Sequence, residues 1–567
     1  MNPLRTTPDR LILQICAALL LGGLQAASFS PPMQSWWLQL ASLSGLFLLI
    51  DRRPLRRQAL LTACFGLIWF AGGLAWLHTS MHVYGGMPWL LAALAVVLFA
   101  LYLSLFPVAA IAVAVRFSCD THWLTRALTL GALWGLAEIA RGLLFTGFPW
   151  LAIGYAHIDG PLSGFASWFG VYGVCALAAL CASLTACLAR GLSASVQAVR
   201  RRSGASRRQG VPRYAKPHPL APALIAIGVI VLGAALGQIE QTQANGPNLK
   251  VRLVQGNVPQ QLKFNPGRTL VAMNEYTRWI ESSDADLIVL PETAWTLPWN
   301  STPLDIRQRI EAATLQRKSA VAIGMPLAQQ ISGPLNGQLR YTNSVGLLAP
   351  PQPAAGAAVP NQNPRSQNTR SPGADIIARY DKRHLVPFGE FIPPGFAWFV
   401  ALMQIPLGEF GRGAAQQAPF EIGGQRFGFN ICYEDLFGEE LLEQVRTPKG
   451  ASVLVNVSNI AWFGNSHALP QHLAIARMRA LETGRPMLRA TNTGVTASID
   501  HRGTIQARLA PYTVGALDVQ VQGTRGLTAY VRWGQWSTLT LLALMLAAGQ
   551  VIRSAHLHRT DLKRGKS

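Results

Sequence analysis

Charge is scarce in this sequence, and acid scarcer still. Only 13% of its 567 residues are charged, with 27 Asp and Glu against 49 Lys and Arg. A polar shell this thin excludes an ordinary soluble globular protein. No glycine-rich phosphate loop and no metal-ligand spacing is present, so neither a nucleotide triphosphate nor a metal is signalled as cofactor. Acids are nearly missing from the apolar runs, where Glu138 stands with Arg141 one turn away as its partner. A transporter would carry more of them. What the chain has instead is apolar surface: half its residues are hydrophobic and the mean hydropathy is +0.24.

The net charge of +22 first suggests a nucleic-acid partner. Its distribution argues against one, because the basic residues collect in short blocks between apolar runs. Runs near the ~20 residues a bilayer requires fall at about 11–27, 35–50, 58–77, 87–115, 123–143, 164–189, 219–237 and 533–552. The first has a basic start like a signal peptide, but the further spans argue for a retained helix. Arg5 and Arg10 precede the first span, "DRRPLRRQ" follows the second, and Arg116 and Arg126 flank the loop after the fourth. "RRRSGASRRQGVPRYAK" follows the sixth and "RSAHLHRTDLKRGKS" closes the chain, whereas "SFSPPMQS" and "HTSMHVYGGM" carry no Lys or Arg. The alternation predicts eight transmembrane helices with both termini cytoplasmic. The expected organisation is a membrane domain over 1–240, an exported domain over 241–530, and an eighth helix with a basic tail over 531–567.

Cysteine usage then acquires a meaning. Cys16, Cys64, Cys175, Cys181 and Cys187 fall in spans and Cys119 in a cytoplasmic loop, which leaves Cys432 alone in the exported segment. A lone thiol outside the membrane has no disulfide partner in its domain, and reads either as a buried structural residue or as a reactive one. Around it, "LKVRLVQGNV", "ADLIVLPE", "AVAIGMP", "NSVGLLAP", "QRFGFNICYE" and "ASVLVNVSN" read as buried strands. "GRTLVAMNEYTRWIESS", "PLDIRQRIEAATLQRK" and "PQHLAIARMRALETG" read as helices alternating with them, which predicts a layered α/β domain. The Pro- and Ala-rich stretch 350–375 reads as a solvated loop.

Three strand ends carry groups suited to acyl transfer. "LIVLPETAW" presents Glu292, "ARYDKRHLVPFGEFIPP" presents Lys382 and then Glu390, and "FNICYED" presents Cys432, Tyr433, Glu434 and Asp435. A thiol needs a base to take its proton, and the oxyanion it creates needs a cation or a backbone N–H. Each residue alone would be unremarkable at a strand end. Their order, one per strand-end motif, points to a shared site.

Those motifs resemble the Glu–Lys–Cys triad of the nitrilase (carbon–nitrogen hydrolase) superfamily. "VQGNVPQ", "KRHLVPFGEFIP", "NVSNIAWFG", "QHLAIARMRALETGRP", "TNTGVTA" and the loop "TGFPWLAIGY" are similar to one membrane-bound branch of it, apolipoprotein N-acyltransferase. The resemblance implies an αββα sandwich on the periplasmic side of the cytoplasmic (inner) membrane. It implies Glu292 as base, Lys382 as oxyanion stabiliser and Cys432 as nucleophile, with Glu390, Tyr433 and Glu434 in support. The donor would be a phospholipid, with phosphatidylethanolamine expected, and the acceptor the N-terminal diacylglyceryl-cysteine of an apolipoprotein. Transfer would be ping-pong through a thioester, without cofactor, as the last step of bacterial lipoprotein maturation. Two positions depart from the family pattern: Phe264 stands where Trp is usual, and Ile460 where Asp is usual.

The segment 393–408, "PPGFAWFVALMQIPLG", is too aromatic for a loop exposed only to water. Phe396, Trp398, Phe399, Leu402 and Met403 predict an interfacial lid over the acyl entry. Phe264, Trp462 and the "GFPW" residues Phe148 and Trp150 join Trp398 and Phe399 as expected lipid contacts. A membrane-tethered amidase or nitrilase would use the same triad and let water resolve the thioester. A transporter or scaffold would leave the triad unexplained.

Overall fold

A computed structural model describes residues 8–118, 122–203, 220–263, 265–330, 339–350, 376–400 and 409–564. Phe264, Cys119, nearly all of the Pro- and Ala-rich stretch, and the Leu402–Met403 half of the expected lid lie outside them. The chain divides into two compact units. One takes the residues up to His78, those from Trp89 to Gln241, and those from Thr528 onward. The other takes Thr79–Pro88 and Thr242–Leu527.

The first unit is helical. Its apolar helices are Pro8–Ala27, Trp36–Ile50, Leu55–Gly73, Trp89–Ser118, Trp123–Leu143, Ala166–Ser203, Ala221–Leu236 and Gln535–Arg564. Among the described residues, five are long and apolar enough to cross a membrane, and a sixth if Leu55–Gly73 is joined to Trp76–Tyr84 across a bend of 52°. Trp36–Ile50 and Ala221–Leu236, at 15 and 16 residues, fall short of the ~20 that a bilayer core demands. The outer surface is apolar; Leu13, Leu90 and Leu544 lie open, as they would against lipid and not against water. Helices approach closely where side chains are absent: a Cβ on Gly22 would stand 2.3 Å from the Phe65 carbonyl oxygen.

Several charged groups in this unit are paired. Arg141 binds Glu138, and its Nη1 donates to the carbonyls of Phe148 (2.5 Å) and Trp150 (2.7 Å). The "GFPW" turn is thereby tied to the end of helix Trp123–Leu143. At Asp51, carboxylate oxygens meet Arg126 and, at 2.8 Å, Arg190. Arg553 donates to the Phe117 carbonyl at 2.9 Å. Asp51, after the second apolar helix, is thus tied to the start of helix Trp123–Leu143 and to helix Ala166–Ser203, and the final helix is tied to the end of helix Trp89–Ser118.

The second unit is a sandwich of two six-stranded sheets. The strands are β1 (Gln243–Gln255), β2 (Leu287–Val289), β3 (Ala320–Gln330), β4 (Leu339–Leu348), β5 (Ile376–Asp381), β6 (Phe420–Ile422), β7 (Gln425–Ile431), β8 (Val453–Ser458), β9 (Met487–Thr491), β10 (Ala497–Ile499), β11 (Ile505–Arg508) and β12 (Gly515–Arg525). Their orders are β12-β1-β2-β3-β4-β5 and β11-β10-β9-β8-β7-β6. The middle of each sheet is parallel, β1–β2–β3 in one and β7–β8–β9 in the other.

Side-chain alternation builds the layers. Val251, Leu253, Leu287, Val289 and Ala322 face Phe427, Phe429, Val453, Val455 and Val457 in a core between the sheets. The intervening Ile288, Val321 and Ile323 turn outward onto Met273, Tyr276, Ile306 and Ile310 of helices Pro266–Glu281 and Leu304–Arg317. Helices Gly438–Arg446 and Ala468–Thr483 pack on the second sheet, completing four layers. The two sheets therefore approach through β-branched and aromatic faces. The carboxyl ends of the parallel strands, where α/β sheets place their ligands, carry polar groups.

Candidate active site

Glu292 follows β2 after a Pro that ends the strand, and its neighbour Thr293 takes a positive φ of 52°. Cys432 follows β7 at φ 51°, left-handed for an L-residue. Such a backbone costs on the order of 1 kcal/mol and persists only where the surroundings hold it. Lys382 follows β5, fixed by hydrogen bonds from its N–H to the Asn343 carbonyl (2.8 Å) and from the Gly413 N–H to its own carbonyl (2.8 Å).

Lys382 and Glu292 meet directly, and Cys432 lies close enough to feel the charge of both. The Lys382 ammonium is 1% exposed and donates to Glu390 Oε1 at 2.9 Å and to Glu292 Oε1 at 3.3 Å. Asn343 Nδ2 donates to the same two oxygens, each at 2.7 Å. The second oxygen of Glu292 accepts the Asn459 N–H at 2.7 Å, and the second oxygen of Glu390 accepts the Val386 N–H at 2.9 Å. Burial works against the Lys382 charge, but Glu390 and then Glu292 outweigh it and hold the pKa above the usual lysine value. Cys432 is partly buried as a residue, with its thiol enclosed enough for burial to govern its titration. The surrounding protein raises its pKa, Glu292 raises it further, and Lys382 opposes both. It therefore rests as a thiol, and its proton has to leave as the nucleophile attacks.

Glu434 clamps the site. Its Oε1 accepts the N–H groups of Arg383 (2.6 Å) and His384 (3.1 Å), and its Oε2 accepts the Ile431 N–H (2.7 Å) and the Tyr380 hydroxyl (2.9 Å). One carboxylate thus ties the Lys382 strand end to the Cys432 strand end. Burial pushes it up to about 7, opposed by those backbone donors and by Lys382. Tyr433 is buried against His384 and Phe437 at ring separations of 5.7 and 5.2 Å.

Sequence reasoning did not single out Asn343, the bridge between the two carboxylates, or Lys263. The buried Lys263 donates to the Glu292 carbonyl at 3.2 Å, and burial brings its pKa down to about 7 against the charges of Glu292 and Cys432. It stands next to Phe264 in "QLKFNPG", and a single Lys in a loop gives no signal of burial. Asn459 Nδ2 donates to Gln260, Asn492 Nδ2 to Asn459, and the Val258 N–H to Asn492. Three of the quoted motifs therefore interlock behind Glu292. Ile460, the departure from an Asp, is buried within this shell.

The expected lipid contacts separate. Phe396, Trp398 and Phe399 form an aromatic group with Phe388, itself two residues from Glu390; Phe396 and Trp398 are 44% and 64% exposed. Trp462 is half-buried against Tyr84 at 6.0 Å. Phe148 and Trp150 belong to the other unit, where Trp150 is buried with Trp76 at 4.7 Å.

Residues 21–184 match the family described as "Apolipoprotein N-acyltransferase N-terminal domain", and residues 250–530 match "Carbon-nitrogen hydrolase". A protein of Ralstonia nicotianae named apolipoprotein N-acyltransferase is 43% identical over 535 residues, 94% of this chain and 92% of its own length. One of Verminephrobacter eiseniae with the same name is 42% identical over 541 residues, 92% and 91% of the two chains. Among solved structures, a carbon–nitrogen hydrolase superfamily protein of Xanthomonas campestris aligns at a TM-score of 0.31 and 16% identity, covering 52% of this chain and 97% of that one. A likeness so distant adds nothing to the sheet order itself.

Proposed function

This chain belongs to the apolipoprotein N-acyltransferase family, and from that membership we propose that it moves an acyl chain from a phospholipid to the N-terminal amine of a diacylglyceryl-modified lipoprotein. The observation that carries the reading is a partly buried thiol at a strained strand end, beside a buried ammonium held by two carboxylates. In the first half-reaction Glu292 takes the Cys432 proton as sulfur attacks the ester carbonyl. Lys382 and the Tyr433 N–H stabilise the oxyanion. The C–O bond breaks, Glu292 returns the proton to the departing lysophospholipid, and a thioester remains. In the second, the lipoprotein amine attacks the thioester, Glu292 accepts its proton, the C–S bond breaks, and Glu292 passes that proton to the departing sulfur to restore the thiol. Glu390 orients Lys382, and Glu434 keeps the two strand ends in register.

The exposed Phe396–Trp398 group, hung from the segment that bears Lys382 and Glu390, favours a lipid donor over a small amide. Phosphatidylethanolamine is the proposed donor. The reading places the enzyme in the inner membrane, crossing it eight times with the two short apolar helices included. Both termini lie in the cytoplasm and the sandwich on the periplasmic side. The ties that gather Asp51, Arg126, Arg190 and Arg553 with their neighbours support this, since Lys and Arg are retained on the cytoplasmic side.

The test is mass spectrometry of the purified protein incubated with phospholipid, then with a diacylglyceryl lipopeptide. An acyl mass on Cys432 that chases onto the peptide amine is expected. Release of free fatty acid without amide would replace the reading with a hydrolase.

A further inference from the structure

Behind the Cys432 turn lies a polar layer that the reaction above does not use. Along β7, β8 and β9 the residues Asn430, Asn456 and Arg489 stand in register, on the side of the second sheet away from the sandwich core. Helix Ala468–Thr483 covers that side and contributes His472, and the turn after Cys432 contributes Asp435. All of these are buried. Asp435 Oδ2 accepts Arg489 Nη1 at 3.0 Å, and Arg489 Nη2 lies 2.9 Å from His472 Nδ1. A guanidinium only donates, so Nδ1 accepts and the ring hydrogen sits on Nε2. That Nε2–H lies 2.9 Å from Asp435 Oδ1 and 3.3 Å from the Cys432 carbonyl oxygen. Asn456 Nδ2 reaches the same carbonyl at 3.3 Å and also donates to Asn430 Oδ1 at 2.6 Å.

The carbonyl of Cys432 and the N–H of Tyr433 belong to one planar trans peptide and point in opposite directions. Anchoring the oxygen from behind therefore sets the direction of the N–H in front. Donors on the oxygen also polarise the peptide and strengthen the N–H as a donor. We infer that His472, aligned by Asp435 and Arg489, and Asn456 are positioning residues that lock the Cys432–Tyr433 peptide so that its N–H faces the acyl oxyanion. The inference rests on the thioester reading above. It adds to that reading a reason for a charged network beneath a nucleophile it never protonates, and a holder for the left-handed backbone of Cys432.

The test exploits two reactions of one thiol. Alkylation by iodoacetamide displaces iodide and forms no oxyanion, whereas acylation by phospholipid passes through one. In the full-length enzyme, His472→Phe and Asn456→Leu are each expected to slow acyl-enzyme formation about tenfold. The double variant should approach the roughly 100-fold loss typical of one oxyanion donor, with alkylation within about twofold of wild type. His472→Gln, whose amide nitrogen can still donate to the carbonyl, should recover part of the loss. Acylation at the wild-type rate in both single variants overturns the inference, and so does alkylation falling in parallel with acylation, which would mark a merely structural layer. If the wild-type enzyme forms no acyl adduct while alkylating normally, the thioester reading falls and takes the inference with it. Loss of the differential alone removes only the inference.

Discussion

Each unit of this protein sets a cysteine beside a glutamate and a cation. In the membrane unit they are Glu138, Arg141 and Cys175; in the sandwich they are Glu292, Lys382 and Cys432. In the first set Arg141 is bound to Glu138 and to two backbone carbonyls, and Cys175 is fully buried with its sulfur accepting the Gly154 N–H at 3.2 Å. It sits inside helix Ala166–Ser203, on relaxed backbone. In the second, a Lys presents a compact ammonium shared between two carboxylates, and the cysteine is partly open at a left-handed strand end. Residue types are nearly the same. Exposure, backbone strain and the choice of Lys over Arg separate a staple from the proposed reaction site.

Breaking the second set should cost far more activity than breaking the first. Cys432→Ala should abolish both the acyl adduct and turnover, whereas Cys175→Ala should retain both; intact protein mass after phospholipid incubation reads this directly. Activity surviving in Cys432→Ala would end the contrast. Lys382→Met should lower the acylation rate by roughly 100–1,000-fold, the usual loss for an oxyanion donor. Arg141→Met should act on stability, because it leaves Glu138 buried without its partner. Such a loss is typically about 3–5 kcal/mol and would appear as reduced yield and a lower melting temperature in detergent.

Access gives a sharper comparison. A membrane-impermeant maleimide, applied to cells with an opened outer barrier and a sealed inner membrane, should label Cys432 and leave both Cys175 and Cys119 unmodified. Labelling of Cys119 with protection of Cys432 would invert the proposed orientation.

The smallest expected effect concerns Lys263. Its pKa is depressed to about 7 by burial, so between pH 7 and its unfolded value the unfolded chain holds a proton that the folded one has lost. Stability from this group therefore rises with pH over that window and is lowest below pH 7. Lys263→Met removes the penalty, so its gain in melting temperature over wild type should be largest near pH 6 and shrink toward pH 9. A gain independent of pH would show that Lys263 is not depressed.

What the sequence made legible follows from how local each signal is. β1 to β4, β7 and β8 carry β-branched runs that read as strands on sight. β9 holds Arg489 and Thr491, and β11 and β12 alternate polar residues, so their pattern is lost without the neighbours that bury one face. Glu292, Lys382 and Cys432 each close a recognisable strand-end motif. Asn343 does not: an Asn in the middle of β4 means nothing until the sheet brings it between carboxylates 51 and 47 residues away. His472 and Asp435 were visible only as parts of motifs and Arg489 fell between two of them, since their roles depend on contacts spanning 17 to 54 residues. Length was the least legible feature of the membrane unit, where the runs at 35–50 and 219–237 form helices shorter than a bilayer core.

The segment Thr79–Pro88 has a consequence for biogenesis. It leaves the ribosome about 160 residues before the first strand of the sandwich, yet it packs with that sandwich, where Tyr84 lies against Trp462 and Thr79 against the Gly464 turn. The catalytic unit is therefore discontinuous in time as well as in sequence. On the proposed topology its earliest piece has to be delivered to the periplasmic side and wait there until β8 and the following turn arrive. A fragment beginning at residue 242 would lack that piece and expose the Trp462 face. On that topology, insertion of the first helices is a step in completing the sandwich, and an error in their orientation would strand the sandwich without one of its own parts.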